Sequence, residues 1–302
     1  MNGIIFLIIA YLLISLGAMV DKFILTKALP SPIAYAFLVS TFGLVAVFFA
    51  PFGFIIPAGW QIIAALVAGS LYTFAIIFLY KALRYNETSR ITAFTGALVA
   101  VFTFIFSFLF LGERLSGWQI IAFIILVAGG VIISLESGQH NRIGKGFGLA
   151  SIAGLIFAVS YTITKYVYSN QPFISGFIWI RIFAFLAILV ILLPKNNYLA
   201  VKEGLSAKTP IRKRTNQLAL LGGQVCTGFG FFLLNYAISL ASASIILAAQ
   251  GLQYAFVLIF AVALSKKFPE VLKEKMTLKI LAQKIFAISL IGVGLIILTV
   301  NN

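Results

Sequence analysis

Charged residues are scarce in this sequence, and acidic ones are the scarcest. Of its 302 residues only 10% are charged, with 7 Asp and Glu against 22 Lys and Arg. A soluble domain averages about 25% charged residues, because water must solvate most of its surface. Here 62% of the residues are hydrophobic and the mean hydropathy is +1.11. A soluble fold of this size is therefore excluded, and the lipid bilayer has to act as the solvent.

The chain also has little of what most enzymes need. Its one cysteine, Cys226, lies in an apolar segment, and its one histidine, His140, lies in a polar connection. These counts exclude an internal disulfide, a thiol-based metal site and a histidine-based catalytic centre. No segment matches the phosphate-binding pattern G-x-x-x-x-G-K-[ST]. We therefore expect no enzyme activity, no metal and no cofactor, which disfavours a membrane-bound transferase.

Long apolar runs are what the sequence has instead. A helix needs roughly 20 apolar residues to cross the hydrocarbon layer, and continuous runs are typical of helices rather than of barrel strands. The first run follows almost no charged residues and lacks a convincing cleavage site, so we interpret it as a retained span and not as a signal peptide. Ten runs of this kind are present, at residues 4–21, 33–50, 60–80, 90–111, 117–135, 147–166, 174–193, 217–238, 243–264 and 281–300.

The two halves of the chain share features in the same order. Lys22 near the end of the first run matches Lys165 near the end of the sixth. Tyr80-Lys81-Ala82-Leu83 leads into the fourth run, and Asn235-Tyr236-Ala237-Ile238 leads into the ninth. A repeated unit of five spans is odd in number, so its second copy must be inverted in the membrane. Inverted repeats are typical of secondary transporters, whose binding site lies near the membrane midplane.

Short motifs near the ends of several runs carry a family resemblance. Ile180-Arg181-Ile182-Phe183 has an Arg early in the second span of its half, and Leu111-Gly112-Glu113-Arg114-Leu115 forms a turn after the fourth span. Ala82-Leu83 and Ala237-Ile238 precede a fourth span, and Ser160-Tyr161 lies in the sixth run, which Lys165 ends. Together these motifs resemble those of the drug/metabolite transporter superfamily, and of its EamA-like members in particular.

The resemblance covers nearly the whole chain. It implies an all-α membrane protein of ten transmembrane helices in two inverted five-helix repeats, at residues 1–138 and 146–302. The second half departs from the family pattern, since Leu264-Ser265-Lys266-Lys267-Phe268-Pro269-Glu270 stands where a Leu-Gly-Glu-Arg turn is expected. The first half has Leu38-Val39 where the second has its Arg.

The formal net charge of +15 comes from basic residues between the apolar runs. We interpret them as orientation signals and contacts to lipid headgroups rather than as a nucleic-acid site. Most lie in odd-numbered connections, and the even-numbered connections hold only Arg114 and Lys165. The positive-inside bias therefore predicts a multi-pass protein of the cell membrane with both termini outside. The family resemblance implies both termini inside.

Arg181 is the most unusual residue of the apolar runs, because it lies within the stretch FIWIRIFAFLAILVILL. A charged side chain inside a bilayer costs a few kcal/mol or more and needs a reason. It either extends its long stem to the headgroups, or faces a central cavity and binds a carboxylate or phosphate, or pairs with a carboxylate of the protein.

Carboxylates offer few candidates for ion coupling. Only Asp21 borders an apolar run, directly before Lys22. This pair is either a helix-end charge pair near the headgroups or part of a proton or cation relay. Small multidrug exporters of the same superfamily use a central acidic residue for coupling. Because no acidic residue lies in the middle of a run, the sequence disfavours proton coupling through a central carboxylate.

Further polar residues complete the predicted site. Lys165 either anchors its helix at the interface beside Tyr166 or shares an anionic group with Arg181. In the ninth run, residues three or four positions apart share one helix face, which either lines a pocket or bonds to another helix. The candidates on that face are Gln250, Gln253 and Tyr254, and weaker ones in other runs are Tyr72, Thr73, Thr92, Thr95, Tyr161, Gln224 and Asn235.

These patterns favour a secondary transporter that moves small metabolites by alternating access, with amino acids or other carboxylate-bearing solutes as candidates. The predicted substrate-binding residues are Arg181, Lys165, Tyr161, Gln250, Gln253, Tyr254, Tyr72 and Thr95, and the coupling candidates are Asp21 and Lys22. The alternative is a broad-specificity exporter of hydrophobic or drug-like compounds. A receptor or scaffold without solute flux is the alternative from another class. Expected partners are a small-molecule substrate and membrane lipid, with a homodimer left open.

Overall fold

The computed structural model describes residues 2–29, 31–85, 88–134, 144–206, 210–264 and 278–300. Helices account for nearly all of these residues, and no strand occurs among them. Several helices continue for one to three turns as π- or 3₁₀-helix, namely at Ile24–Ala28, Leu44–Phe52 and Ser107–Leu111. The α-helices are α1 (Asn2–Phe23), α2 (Pro32–Gly43), α3 (Gly59–Leu83), α4 (Thr88–Phe106), α5 (Gly117–Ser134), α6 (Lys145–Asn170), α7 (Phe173–Ile191), α8 (Lys195–Gly204), α9 (Arg214–Leu240), α10 (Ala243–Ala248), α11 (Gly251–Leu264) and α12 (Leu278–Val300).

The described helices confirm the predicted fold class, an all-α membrane protein. Nine spans among them are long and apolar enough to cross a bilayer, and Gly117–Ile133 is a shorter apolar helix. Together these correspond to the ten predicted runs. A helix satisfies its own backbone hydrogen bonds, so it is the form that a continuous apolar run adopts in lipid.

Two boundaries differ from the sequence prediction. The first span continues past residue 21 to Ala28, because the π-helical turn Ile24–Ala28 follows α1 without a break. The connection after the seventh run contains α8, which begins after Pro194 and ends at Gly204. Proline before a helix and glycine at its end are ordinary boundary signals. A reading based on apolar runs misses α8 because its sequence, KNNYLAVKEG, is polar.

The ninth span is interrupted, whereas the sequence predicted one continuous run. Between α10 and α11, Ala249 and Gln250 form a turn closed by tighter bonds, such as Leu252 N to the Ala249 carbonyl at 3.0 Å. The hydroxyl of Tyr11 on α1 donates to the Ile246 carbonyl at 2.6 Å and satisfies a backbone acceptor there. Interrupted spans in membranes need such internal partners and are typical of transporter binding sites.

Glycine permits the closest contacts between helices of the two halves. A Cβ added at Gly230 of α9 would lie 2.8 Å from the Ala10 carbonyl oxygen of α1. One added at Gly129 of α5 would lie 3.1 Å from the Ala287 carbonyl oxygen of α12. A Cβ added at Gly69 of α3 would lie closer still to a backbone carbonyl oxygen of α7. Small residues at such crossings let helices pack tightly in lipid, where the hydrophobic effect does not drive helices together.

These contacts define where the interior lies. The most extensive helix pairs are α3 with α6, α1 with α9, α5 with α12 and α3 with α7. Each pair joins a helix before residue 135 to one after residue 144, so the two halves interlock. The space left between them near their middle forms an internal cavity.

Candidate solute-binding cavity

The cavity between the halves has a volume of about 400 Å³, which lies within the range of small-molecule sites. Its wall is mostly aliphatic and aromatic, with fewer polar groups, as is usual for such sites. Helices α1 to α4, α6, α7, α9 and α11 contribute to it, together with the 3₁₀ segment Leu44–Phe52 and the turn between α10 and α11. The polar lining residues are Asp21, Tyr72, Tyr80, Thr92, Thr95, Tyr161, Arg181, Gln224, Thr227, Gln250 and Gln253.

Arg181 lies in the middle of α7 and lines the cavity. Its guanidinium carbon is 4.7 Å from the ring centroid of Tyr72, 5.2 Å from that of Phe177 and 5.7 Å from that of Phe231. Cation–π contacts of this kind offset part of the cost of a charge in the membrane. Among the described residues no carboxylate pairs with Arg181. The Tyr72 side chain also forms a hydrogen bond with the guanidinium. The guanidinium has further N–H donors in a planar fork, which suits an incoming anion.

Aromatic side chains surround the guanidinium on neighbouring helices. Phe157 and Tyr161 lie four residues apart on α6, so they share one face of that helix. Their ring centroids are 6.1 Å apart, and Phe157 is 5.7 Å from Tyr72 of α3. Arg181 therefore lies against a continuous aromatic wall that carries two phenolic hydroxyls.

Asp21 also lines the cavity, which differs from the expectation that no acidic residue lies within a span. Because the first span continues to Ala28, Asp21 is about two helical turns inside its end. Its carboxylate accepts hydrogen bonds from the hydroxyl of Tyr35 and from Nε2 of Gln224, the latter at 3.4 Å. Gln224 Nε2 also lies 3.2 Å from the Tyr35 hydroxyl. Both partners are neutral, so this carboxylate has no cationic partner among the described residues.

Lys22, the second coupling candidate, is separated from Asp21 by the helix geometry. Consecutive residues of an α-helix point about 100° apart, at 3.6 residues per turn. Asp21 faces the cavity, whereas Lys22 does not line it.

The structure places Lys165 outside the cavity, at the end of α9. Its ammonium group donates to the carbonyls of Ile238 at 2.9 Å, Ser239 at 3.4 Å and Ala241 at 2.7 Å. The last carbonyls of a helix have no intrahelical partner and carry partial negative charge, so a lysine there is stabilising. These contacts make Lys165 a cap for α9 and do not bring it together with Arg181.

Replacing Lys165 by Met is expected to lower stability without changing solute affinity. Methionine keeps the apolar stem but leaves the carbonyls at the end of α9 without their donor, at a cost of about 1–3 kcal/mol. The measurement is thermal unfolding of the purified protein, with Lys165→Arg as a control that keeps charge and donors. Weaker solute binding at an unchanged melting temperature would contradict this capping role.

The predicted polar face of the ninth span is divided by the turn at Ala249 and Gln250. Gln250 and Gln253 line the cavity, and Gln250 Nε2 donates to Gln253 Oε1 at 3.2 Å. Tyr254 is buried beside the cavity and does not line it, because its hydroxyl donates to the Thr92 carbonyl of α4 at 2.7 Å. A Cβ at Gly96 would lie 2.8 Å from Gln250 Oε1. Glycine there lets α4 approach the turn.

Two threonine hydroxyls of the cavity wall have no hydrogen-bond partner among the described residues. They belong to Thr95, one of the predicted site residues, and to Thr227. Buried polar atoms are nearly always paired. Both oxygens are enclosed by protein atoms, so they are unpaired polar positions within the wall and not open contact points.

Sequence reasoning missed three polar residues of this region, Tyr35, Tyr80 and Thr227. Tyrosine near the end of an apolar run is ordinarily an interfacial anchor, so Tyr35 gave no functional signal. The sequence did contain a signal for Tyr80, because Tyr80 lies eight residues after Tyr72 with Ile76 midway between them. Residues four apart share a helix face, and all three of these α3 residues line the cavity.

Comparison with known proteins agrees with this architecture. Residues 1–135 match the sequence model of the EamA-like transporter family, which confirms the resemblance to that family over the first half. The described helices make the chain a multi-pass membrane protein, and its first 135 residues are similar to a family of transporters.

One solved protein shows the same fold over nearly the full length. A structure titled only "Crystal structure of protein" aligns with 97% of this chain and 95% of its own, at a TM-score of 0.65 and 15% sequence identity. At that identity the likeness concerns the fold alone. No curated protein matches the chain.

Proposed function

We propose that this protein is a secondary transporter that moves small metabolites with an anionic group, such as amino acids or other carboxylates, by alternating access. The observation that carries the proposal is Arg181. It lies in a cavity of about 400 Å³ between the halves, among aromatic rings and with no carboxylate partner in the described residues. An arginine in the membrane interior marks a functional site when it faces a cavity.

The arrangement of the halves supports alternating access. The two proposed inverted repeats, residues 1–138 and 146–302, meet through α1 with α9, α3 with α6 and α5 with α12. A cavity at the boundary of two such units, beside an interrupted span, is the arrangement through which one unit rocks against the other. The turn at Ala249 and Gln250 supplies that interruption.

Different lining residues bind different parts of the solute. Arg181 holds the anionic group with its planar donors. The remainder of the solute contacts the hydroxyl and amide groups of Tyr72, Tyr161, Gln250 and Gln253. In this proposal Lys165 and Tyr254, which bond to backbone carbonyls, support the binding residues instead of touching solute.

Asp21 is the coupling residue that the cavity supports best. Its partner Tyr35 has its ring centroid 5.0 Å from that of Tyr80, whereas Arg181 lies over Tyr72. Tyr72 and Tyr80 are about 12 Å apart along α3 at 1.5 Å per residue. A solute held by Arg181 therefore leaves the carboxylate free to gain or lose a proton.

The alternative is a broad exporter of hydrophobic compounds, which the aromatic wall of Phe157, Phe177, Phe231 and Phe232 favours. The two functions differ in what competes for the site. An anion-specific transporter is inhibited by solutes that share one charged group, whereas a broad exporter is inhibited by chemically unrelated dyes.

The experiment that tests transport is counterflow in proteoliposomes. Vesicles with purified protein are loaded with one unlabelled solute from a panel of amino acids, organic acids and cationic dyes, and then diluted into a trace of the same labelled solute. We expect transient accumulation for a carboxylate solute and none in protein-free vesicles. A receptor or scaffold would give no flux for any member of the panel, and that result would overturn the proposal.

A further inference from the structure

The cavity is bordered on one side by residues that also face out of the protein. Val45 in the 3₁₀ segment of the second span, and Val225 and Phe229 on α9, line the cavity. The same side chains are 54%, 71% and 53% exposed, respectively. A side chain can line the cavity and also be exposed on the outside of the protein only where the cavity reaches the outer surface. The cavity therefore has a lateral opening between Leu44–Phe52 and α9.

The depth of this opening places it against lipid. On α9 the exposed side chains Leu218, Leu221, Val225 and Phe229 recur every three or four residues, which is the pattern of a lipid-facing stripe. Val225 lies about 16 Å along α9 from its start, in a helix about 39 Å long. This is the middle of the membrane, where hydrocarbon and not water borders an exposed apolar side chain.

The opening is not filled by side chains. At Gly228, which lines the cavity, an added Cβ would meet nothing within 4 Å. Beyond it, Phe49 and Phe232 stack with ring centroids 5.0 Å apart and join the two walls of the opening. An apolar chain has room to lie beside Gly228, in contact with Val45, Val225 and Phe229.

We propose that the cavity binds single-chain amphiphilic anions, with the head group at Arg181 and the apolar tail in the lateral opening. This inference rests on the proposed function and narrows its substrate class. Arg181 is the one cationic side chain that lines the cavity in the described part of the chain. The lining of the opening itself, at Val45, Val225, Gly228 and Phe229, is apolar, so a tail is favoured there and a second charge is not. The volume of about 400 Å³ suits one short chain rather than a two-chain lipid.

The test is the chain-length dependence of binding to the purified full-length protein in lipid nanodiscs. The probes are alkane-1-sulfonates from ethanesulfonate to octanesulfonate, which stay charged at every working pH. If the tail is buried in the opening, affinity rises by up to about fourfold for each added CH₂. Arg181→Gln is expected to weaken every member of the series by a similar factor.

Gly228→Phe tests the opening itself. The space around Gly228 accepts a ring, which would occupy the path of the tail, so octanesulfonate affinity should fall at least tenfold while ethanesulfonate affinity is kept. Gly222→Phe is the matched control, because Gly222 also has nothing within 4 Å but does not line the cavity. It should bind both probes as the original protein does, and it also corrects for partition of the longer probe into lipid.

Each other outcome has a distinct meaning. If affinity is independent of chain length but still depends on Arg181, the lateral site is wrong and the anion transporter stands. If affinity rises with chain length but ignores Arg181→Gln, the head-group assignment is wrong and the broad exporter is favoured. If Gly222→Phe loses octanesulfonate as strongly as Gly228→Phe, the effect comes from the α9 surface and the proposal is overturned.

Discussion

Replacing Arg181 by Gln is expected to weaken binding of an anionic solute by about ten- to a hundredfold. A hydrogen bond to a charged group contributes about 1.5–3 kcal/mol, and glutamine keeps a donor but removes the charge and the planar fork. The measurement is the apparent affinity in the counterflow assay, with direct binding to the purified protein beside it. We expect Arg181→Lys to be intermediate, because lysine keeps the charge but cannot bind a carboxylate through two parallel bonds.

Arg90 provides the matched control for this substitution. Its guanidinium carbon lies 5.5 Å from the ring centroid of Phe147, so Arg90 is also an arginine over an aromatic ring. Unlike Arg181, it lies at the start of a span. It does not line the cavity, and Arg90→Gln should leave the affinity unchanged. If Arg181→Gln binds and transports anionic solutes as the original protein does, Arg181 is not the anion anchor.

Replacing Asp21 by Asn is expected to abolish accumulation driven by a pH gradient while leaving solute exchange intact. Asparagine has nearly the same shape and accepts the hydrogen bond from Tyr35, but it cannot take up and release a proton. The groups facing Asp21 are Tyr35 on α2, Tyr80 on α3 and Gln224 on α9. None of these is a cation that would hold the carboxylate ionised.

The assay compares two modes in the same proteoliposomes. Uptake against a concentration gradient under an imposed pH difference measures coupling, and counterflow at equal pH measures exchange. Glu203→Gln is the control, since Glu203 is exposed on α8 and far along the chain from any lining residue. Loss of both modes in Asp21→Asn would show a structural role, and retention of both would show that the proton binds elsewhere.

Sequence reasoning predicted the fold better than the site, for a physical reason. Apolar runs specify membrane helices directly, because each helix satisfies its backbone alone. The turn at Ala249 and Gln250 lay within an apolar run and was missed. The hydroxyl of Tyr11 bonds to the Ile246 carbonyl beside this turn, and no local pattern contains a tertiary contact of this kind.

The two charged residues of the cavity illustrate the same limit. Arg181 was identified because an arginine is conspicuous in an apolar run, but the choice between headgroups and cavity depends on which face of α7 turns inward. For Asp21 the sequence leaves both a helix-end charge pair and a proton or cation relay open, because the apolar run stops there. The π-helical turn Ile24–Ala28 extends the first span beyond Asp21, and no sequence pattern predicts this turn.

The contact between Tyr11 and Ile246 also bears on how the protein is made. The two residues are 235 positions apart in the chain, and a ribosome adds about 5–20 residues per second. After Tyr11 is synthesised, roughly 10–50 s pass before its acceptor exists. During that interval the first span has to reside in the bilayer with a tyrosine hydroxyl that lacks its final partner.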